Sequence, residues 1–182
     1  MTATIFTIGH STRTVPEFAA LLQEAGVDLL VDIRSIPPSR ANPQFNADTL
    51  PPSLATFGIG YTHLAALGGL RHRRKDSPPS ANTLWRVAAF RNYADYAATL
   101  AFRRGLDDLE ALARDQRCAI MCAEAVWWRC HRRIVADYLL SDDYPVNHIM
   151  GLGKVTAATL TPGARLRSDG ALVYGPSAPT EN

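Results

Sequence analysis

Arg117-Cys118-Ala119-Ile120-Met121-Cys122 is the stretch that decides the fold class. Successive side chains of a strand point to opposite faces of a sheet, and from Cys118 to Met121 both sets are apolar. A strand that is apolar on both faces is typical of the centre of a parallel sheet covered by helices on its two sides. The segment therefore predicts an α/β protein.

Shorter apolar runs flank this segment along the chain and predict further strands at residues 4–8, 27–31, 59–62 and 146–150. Segments with helical periodicity lie between them, an alternation that is typical of βαβ units. We predict one three-layer domain over residues 1–174, with a mainly parallel sheet and helices on both faces.

The helices are predicted from their end signals. Thr14-Val15-Pro16-Glu17 fits a capping box, and Gly26 closes the helix that follows. Further helices are predicted to end near residue 57, to span 83–114 in two pieces broken near Gly105, and to span 126–140. Asp169-Gly170 predicts a C-terminal β-hairpin over 165–174, followed by a disordered tail at 175–182.

Composition narrows the function classes. The 182 residues are 47% hydrophobic and 20% charged, which is ordinary for a globular domain, and 19 Lys and Arg against 17 Asp and Glu give a net charge of +2. Any affinity for nucleic acid must therefore come from local basic clusters. No signal peptide and no apolar run of about 20 residues is visible, so we expect a cytoplasmic protein with no membrane span. The three cysteines cannot all pair and are expected to be free thiols.

Polar side chains collect where the predicted strands end. In open α/β sheets, ligands bind beyond the carboxyl ends of the strands. Four strand ends carry such groups in succession, which predicts a single polar cleft. The residues concerned are His10 and Ser11, Asp32 and Arg34, Tyr61 and His63, and Cys122 and Glu124.

The cysteine at the end of the central strand is the first candidate for chemistry. Cys122 precedes a predicted helix, whose dipole, together with nearby guanidinium groups, lowers a thiol pKa. The alternative is an inert buried cysteine, because cysteine is often buried. Cys118 is expected to pack inside the strand, and Cys130 to face the core because it shares a four-residue spacing with Ile134 and Tyr138.

Two loops concentrate positive charge. Residues 34–40 contain Arg34, Ser39 and Arg40, and residues 71–75 read Arg-His-Arg-Arg-Lys. Basic loops beside a cleft favour an anionic partner such as a nucleotide or nucleic acid. A solvated, non-functional face is the alternative for the second loop.

Better-defined motifs are absent from the sequence. A phosphatase loop requires an arginine six positions after its cysteine, but Arg129 comes one place late after Cys122 and Glu124 would repel phosphate. No CxxC or HxxxH spacing supports a metal site, and neither GxGxxG nor GxxxxGK[ST] is present. No cofactor and no metal are predicted.

Several motifs in order along residues 4–150 together resemble one family. They are Thr7-Ile-Gly-His-Ser11, Asp32-Ile-Arg-Ser35 with Pro38-Ser-Arg40, Leu67-Gly-Gly69 with Arg71, Tyr93-Ala-Asp-Tyr96, and Met121-Cys-Ala-Glu124 with Cys130-His-Arg132. On these residues the chain resembles the DUF488 family of bacterial and archaeal proteins. The resemblance implies a small α/β protein with a polar cleft, and it supplies no reaction. Val126-Trp127-Trp128 departs from a stretch that tends to be more polar in the family.

The leading hypothesis is an enzyme that acts on an anionic, nucleotide or nucleic-acid-related substrate. The rival is a non-catalytic module that binds nucleic acid or a nucleotide, and a metal-binding protein is a third possibility; the sequence leaves the oligomeric state open. The predicted catalytic residues are Cys122, Glu124, His10 and His131. The predicted substrate- or anion-binding residues are Ser11, Asp32, Arg34, Ser39, Arg40, Tyr61, His63, Arg71 and Arg132.

Overall fold

The strand predicted from residues 117–122 lies at the centre of a six-stranded sheet in the computed structural model, which describes residues 3–176. The strands are β1 (Ile5–Gly9), β2 (Leu29–Asp32), β3 (Gly60–His63), β4 (Cys118–Cys122), β5 (Val146–Gly151), β6 (Lys154–Ala157), β7 (Ala164–Leu166) and β8 (Leu172–Tyr174). The sheet order is β3-β2-β4-β1-β5-β6, and every neighbouring pair is parallel except β5 with β6. Strands β7 and β8 form the predicted C-terminal hairpin. The α/β fold class is confirmed.

Helices cover both faces of this sheet. They are α1 (Val15–Glu24), α2 (Leu50–Ala55), α3 (Ala88–Ala97), α4 (Leu100–Asp115) and α5 (Arg132–Ser141). One core lies between the sheet and α3, α4 and α5, and a second lies between the sheet and the α1–α2 side. The capping box at α1 is present, since Thr14 Oγ1 accepts a hydrogen bond from the Glu17 amide at 3.3 Å and the Glu17 carboxylate accepts one from the Thr14 amide at 2.8 Å.

The break predicted near Gly105 is wrong. The chain breaks at Thr99, whose hydroxyl caps α4 by accepting from the Phe102 amide at 3.4 Å. Gly105 lies inside α4, where a Cβ atom would come within 2.8 Å of the Ala66 Cβ. This glycine therefore serves close packing, which outweighs its low helix propensity. Residues 83–87, which the periodicity assigned to the first piece, precede α3 and are not helical.

The single helix predicted over residues 126–140 is also wrong in its first part. Trp127–Arg129 form one 3₁₀ turn, and α5 begins only at Arg132. Cys130 lies between the two, so its four-residue spacing to Ile134 carries no helical meaning. Strand β6 was not predicted because all four of its residues are exposed, which removes the apolar alternation that marks a strand.

The C-terminal hairpin is held against α5 by a buried carboxylate. Asp137 accepts hydrogen bonds from the Thr161 amide at 2.8 Å and from the Tyr174 hydroxyl at 2.9 Å. The tail predicted from Gly175 mostly falls on residues 177–182, which lie outside the described residues, while the Gly175 amide donates to the Gly163 carbonyl at 3.2 Å. Across residues 3–176, none of the helices combines the length and apolarity needed to cross a membrane.

Candidate functional site

A cavity of about 520 Å³ opens where β2 and β4 end. We call it the thiol cavity. Its wall is built from residues 34–36, which follow β2, from residues 122–124 at the end of β4, and from residues 129–131, which precede α5. Residues 69–70 and the aromatic side chains of Phe90 and Tyr93 complete it. The cavity thus lies at the carboxyl ends of the strands, where the sequence predicts a site.

Three nitrogen atoms converge on the sulfur of Cys130. The Arg132 amide lies 3.4 Å from Cys130 Sγ, the Arg132 Nε atom 3.5 Å, and the His131 Nδ1 atom 3.5 Å. The Arg132 amide is the first of α5, so the sulfur also lies at the positive end of a ten-residue helix. The two Arg132 donors and the helix N-terminus favour the thiolate over the thiol.

The two cysteines of the cavity differ in acidity. Burial acts to raise the pKa of Cys130, but the neighbouring Cys122, His131 and Arg132 outweigh it, so its pKa falls well below the usual value. Burial and the nearby Cys130 raise the pKa of Cys122 well above the usual value. The low pKa that the sequence predicts for Cys122 is found at Cys130 instead.

His131 is fixed between the protein backbone and Cys130. Its Nε2 atom lies 2.9 Å from the Ile33 carbonyl, so Nε2 carries a hydrogen and donates it, which leaves Nδ1 to face the sulfur. The edge of the Tyr93 ring packs at a centroid distance of 5.0 Å. A Cβ atom at Gly69 would lie 2.4 Å from His131 Nδ1, so the absence of a side chain at Gly69 makes room for the imidazole.

Arg132 is a buried cation without a carboxylate partner. Its side chain is 1% exposed, and its Nη2 atom donates to the Glu124 carbonyl at 2.6 Å. No carboxylate lies within ion-pair distance of it in residues 3–176, although buried charges are usually paired. A thiolate at Cys130 supplies the missing negative charge.

Glycine at position 9 allows the loop after β4 to reach this arrangement. A Cβ atom at Gly9 would lie 1.8 Å from the Glu124 carbonyl oxygen, so the loop crosses directly over the end of β1. That carbonyl is the acceptor for Arg132. Residue 9 therefore positions Arg132 indirectly.

A second polar cluster lies beside the cavity and is built on Arg34. Its guanidinium pairs with buried Asp32 at 2.6 Å and donates to the Phe45 and Pro37 carbonyls at 2.7 and 2.9 Å. The Tyr61 hydroxyl donates to Asp32 at 2.7 Å. The structure brings these predicted site residues together, but the donors of Arg34 are occupied by protein acceptors.

Two predicted histidines also contact this cluster. The ring of buried His10 stacks on the ring of Phe45, with a centroid distance of 4.3 Å. Its Nδ1 atom donates to the Ser11 carbonyl at 2.7 Å, and its Nε2 atom lies 3.5 Å from Arg34 Nη1. Burial lowers its pKa, which keeps the ring neutral. His63 Nε2 lies 2.7 Å from the Arg34 carbonyl. Neither histidine lines the thiol cavity.

The remaining predicted binding residues lie off the cavity wall as well. Ser11 has a positive φ of 50° and donates its amide to the Ala123 carbonyl at 3.0 Å, and Ser39 accepts from the Asn42 amide. Arg40 is exposed. Arg71 donates to loop carbonyls and lies 3.7 Å above the Tyr96 ring, so it holds its own loop. Their roles in binding stay predictions.

A basic groove of about 660 Å³ adjoins the thiol cavity. The two share Leu70 in their walls. The groove is lined by Arg73, Arg74 and Arg167 among others, so the second basic loop predicted from the sequence is one of its walls. Arg74 and Arg167 each pair with an aspartate, Asp76 and Asp169 respectively.

Cys130 and Arg129 are the cavity residues with a reactive or charged side chain that the sequence did not predict as part of the site. The signal for Cys130 was present, since it directly precedes a histidine and two arginines at a helix start, the environment that was instead assigned to Cys122. Within residues 3–176, no group of three or more His, Cys, Asp or Glu side chains is arranged to hold a metal ion.

Comparison with known proteins places the chain in one family. The model of the domain of unknown function DUF488 matches residues 14–139, from the cap of α1 into α5. The chain therefore belongs to the DUF488 family, as the motifs predict. The matched span contains every residue of the thiol cavity. No curated protein and no solved structure matches the chain.

Proposed function

We propose that the thiol cavity is the active site of an enzyme in which the Cys130 thiolate is the nucleophile. The observation that carries this proposal is the convergence of the Arg132 amide, Arg132 Nε and His131 Nδ1 on one sulfur in a cavity wall. A nucleophile beside a base that a third group orients is the arrangement that covalent catalysis requires. Here the orienting group is the Ile33 carbonyl.

The reaction class is substitution at an electrophilic carbon. The sulfur of Cys130 forms a bond to that carbon while the bond to the leaving group breaks. The proton of the Cys130 thiol passes to His131 Nδ1 and from there to the departing group, since Nε2 remains bonded to Ile33. Water then attacks the same carbon, breaks the carbon–sulfur bond and restores the thiolate, with its proton passing to a base.

Glu124 is placed to be that base. Its side chain is exposed and lines the cavity, so its carboxylate has access to water and to a bound substrate. Cys122, which the sequence predicts as nucleophile, donates a hydrogen bond to the Glu124 carbonyl at 3.9 Å. It is a positioning residue in this mechanism.

An anionic substrate is favoured by the free donors of the cavity. Arg129 lines it, is exposed, and forms no ion pair and no side-chain hydrogen bond within residues 3–176. The amides of Ala123 and Glu124, both in the cavity wall, likewise donate to no acceptor in that range. A cation with two main-chain amides is a common cradle for a carboxylate or phosphate group.

A nitrophenyl ester tests for the nucleophile. We expect a burst of nitrophenolate of about one equivalent per chain, because the acyl group is retained on Cys130 before slower hydrolysis. Cys130→Ser should lose the burst and Cys118→Ser should keep it. Circular dichroism of each variant checks the fold. A full burst in Cys130→Ser would contradict the proposal.

A matched pair of alkylating reagents tests the substrate class. Iodoacetate and iodoacetamide share a leaving group and differ in charge. At Cys130 the ratio of their rates should favour iodoacetate more than it does for a free thiol in solution, and Arg129→Gln should lower the ratio. A ratio at Cys130 equal to that of the free thiol would contradict the proposal of an anionic substrate, but it would not contradict Cys130 as the nucleophile.

The basic groove supports a second candidate, a nucleic-acid binding module. Arg73 and Leu70 both line this groove, and Leu70 also lines the thiol cavity. This function predicts binding of a fluorescent oligonucleotide that weakens steeply with salt, weakens in Arg73→Gln and survives Cys130→Ser. Oligonucleotide binding that is absent at low salt would exclude it.

A further inference from the structure

Cys122 has no covalent role in the mechanism above, although it is a second thiol in the same cavity wall. We propose that Cys122 and Cys130 are a reversible modification site, which closes to an intramolecular disulfide when Cys130 reacts with a small-molecule disulfide. The inference shares the Cys130 thiolate with the proposed function and therefore rests on it. It adds a reaction partner and a state of the protein in which the nucleophile is blocked.

The placement of the two cysteines supports the pairing. Cys122 ends β4 and its Sγ atom lies 3.9 Å from the Glu124 carbonyl. Arg132 links that carbonyl to the second thiol, because its Nη2 atom donates to Glu124 at 2.6 Å and its Nε atom lies 3.5 Å from Cys130 Sγ. The segment between them includes Ala123, Glu124, Ala125, Trp128 and Arg129, all exposed. These five exposed side chains have few packing contacts to lose in the small shift that bond formation requires.

The third cysteine is excluded from this reaction by geometry. Cys118 and Cys122 occupy the two ends of one strand, four residues apart, which separates their Cα atoms by about 13 Å at the usual rise of a strand. A disulfide needs Cα atoms within about 7 Å. Cys118 is fully buried, does not line the cavity, and burial raises its pKa to about 11.

The chemistry proceeds in two balanced steps. The Cys130 thiolate attacks one sulfur of the small disulfide, forming a mixed disulfide and releasing one small thiolate, which takes up a proton. Cys122 then loses its proton to His131 or water and attacks the Cys130 sulfur, which expels the second small thiol. The two cysteines lose two electrons, and the small disulfide takes up two protons, one from Cys122 and one from His131 or solvent, to become two thiols.

The side chains around the two cysteines favour attack by Cys130 in the first step and attack by Cys122 in the second. Arg132 and His131 maintain a thiolate at Cys130, so the first attack takes place there. Once Cys130 is in a mixed disulfide, its negative charge no longer raises the pKa of Cys122, while Arg132 still acts to lower it. The closed disulfide would protect the nucleophile from irreversible oxidation.

Hydroxyethyl disulfide, which is small and uncharged, is the probe for this inference. After incubation with the whole protein, thiols are counted under denaturing conditions and the peptides are mapped by mass spectrometry. We expect one remaining thiol, at Cys118, and a Cys122–Cys130 cross-link that dithiothreitol reverses. Cys122→Ser should stop at a mixed disulfide on Cys130, and Cys118→Ser should cross-link like the wild type.

Three outcomes separate this inference from the proposed function. A wild-type protein that stops at the mixed disulfide overturns the inference, as does one that keeps all its thiols. If either result accompanies a normal ester burst, the inference fails and the proposed function stands. A cross-link without any ester burst would instead support the disulfide and count against the proposed enzyme.

Discussion

The imidazole of His131 joins Cys130 to the end of a neighbouring strand, with Nδ1 3.5 Å from Cys130 Sγ and Nε2 2.9 Å from the Ile33 carbonyl. Because Ile33 follows β2 and Cys130 precedes α5, the side chain couples two elements that are far apart in sequence. Its orientation is thus set by the fold, as a catalytic base requires. Single substitutions can perturb the charge of this ring or the packing that supports it.

Replacing His131 with glutamine is expected to raise the pKa of Cys130, because His131 is among the groups that lower it. Glutamine retains hydrogen-bonding capacity but cannot be protonated. The pH profile of Cys130 alkylation should therefore shift to higher pH, and at a pH below the pKa the rate should fall about tenfold for each unit by which the pKa rises. His72→Gln, at an exposed histidine outside the thiol cavity, is the matched control. An unchanged alkylation profile in His131→Gln would remove His131 from the mechanism.

The Gly69→Ala substitution should displace the imidazole without removing it, because the new Cβ atom would lie 2.4 Å from His131 Nδ1. We expect slower Cys130 alkylation together with a loss of stability of about 1–3 kcal/mol, as is usual for overpacking. Gly151→Ala is the control, since its nearest neighbour would be Lys154 Cδ at 3.8 Å. Equal alkylation rates in the two variants would show that the displaced His131 imidazole finds space elsewhere in the cavity without an effect on Cys130.

Asp32 is predicted to be the most sensitive residue of the cluster beside the cavity. Asp32→Ala leaves the Arg34 guanidinium buried without its partner, which costs about 3–5 kcal/mol. Tyr61→Phe removes one hydrogen bond to Asp32 and should cost about 1 kcal/mol. Urea unfolding measures both, with exposed Asp48→Ala expected to change stability by less than about 0.5 kcal/mol. Comparable losses at Asp32 and Asp48 would argue against the buried ion pair.

Stability should fall between pH 6.5 and pH 4 because of His148. Burial, with a smaller effect of Arg132, lowers its pKa to about 4, and the ring stacks on Trp127 at 4.3 Å. Below about pH 6.5 the unfolded chain binds a proton that the folded protein does not, so folding loses about 2–3 kcal/mol over this range.

A variant separates this effect from the titration of other groups. His148→Gln should reduce the slope of unfolding free energy against pH between pH 4 and 6.5, while His72→Gln should leave it unchanged. The slope should not vanish, because burial also lowers the pKa of His10. Equal slopes in wild type and His148→Gln would contradict a buried neutral His148.

The fold was largely predictable because its central strands are buried on both faces. Residues 118–122 and 29–32 are completely buried, so their apolar composition alone marked them as strands. Thr99 was overlooked as a helix start because no capping box follows it, and Gly105 was mistaken for a break because its packing against Ala66 is a tertiary contact. Local patterns carry no information about such contacts.

The position of the candidate site in the fold was predictable from the sequence, but the roles of its individual residues were not. The ends of β2 and β4 do line the cavity, as the polar residues at the strand ends predict. The role of Cys130 was not predicted, because the periodicity places this residue in a helix that in the structure begins two residues later. The saturation of Arg34 by Asp32 and two carbonyls likewise depends on distances that only the folded chain defines.

The alkylation rate of each cysteine against pH, measured by peptide mass spectrometry on the wild-type protein, tests whether Cys130 is the nucleophile. We expect Cys130 to react first, with an apparent pKa well below the ~8.5 of a free thiol, while Cys122 and Cys118 react only at higher pH or after unfolding. A Cys130 that titrates at or above the free-thiol value, or that reacts after Cys122, would contradict the proposed mechanism.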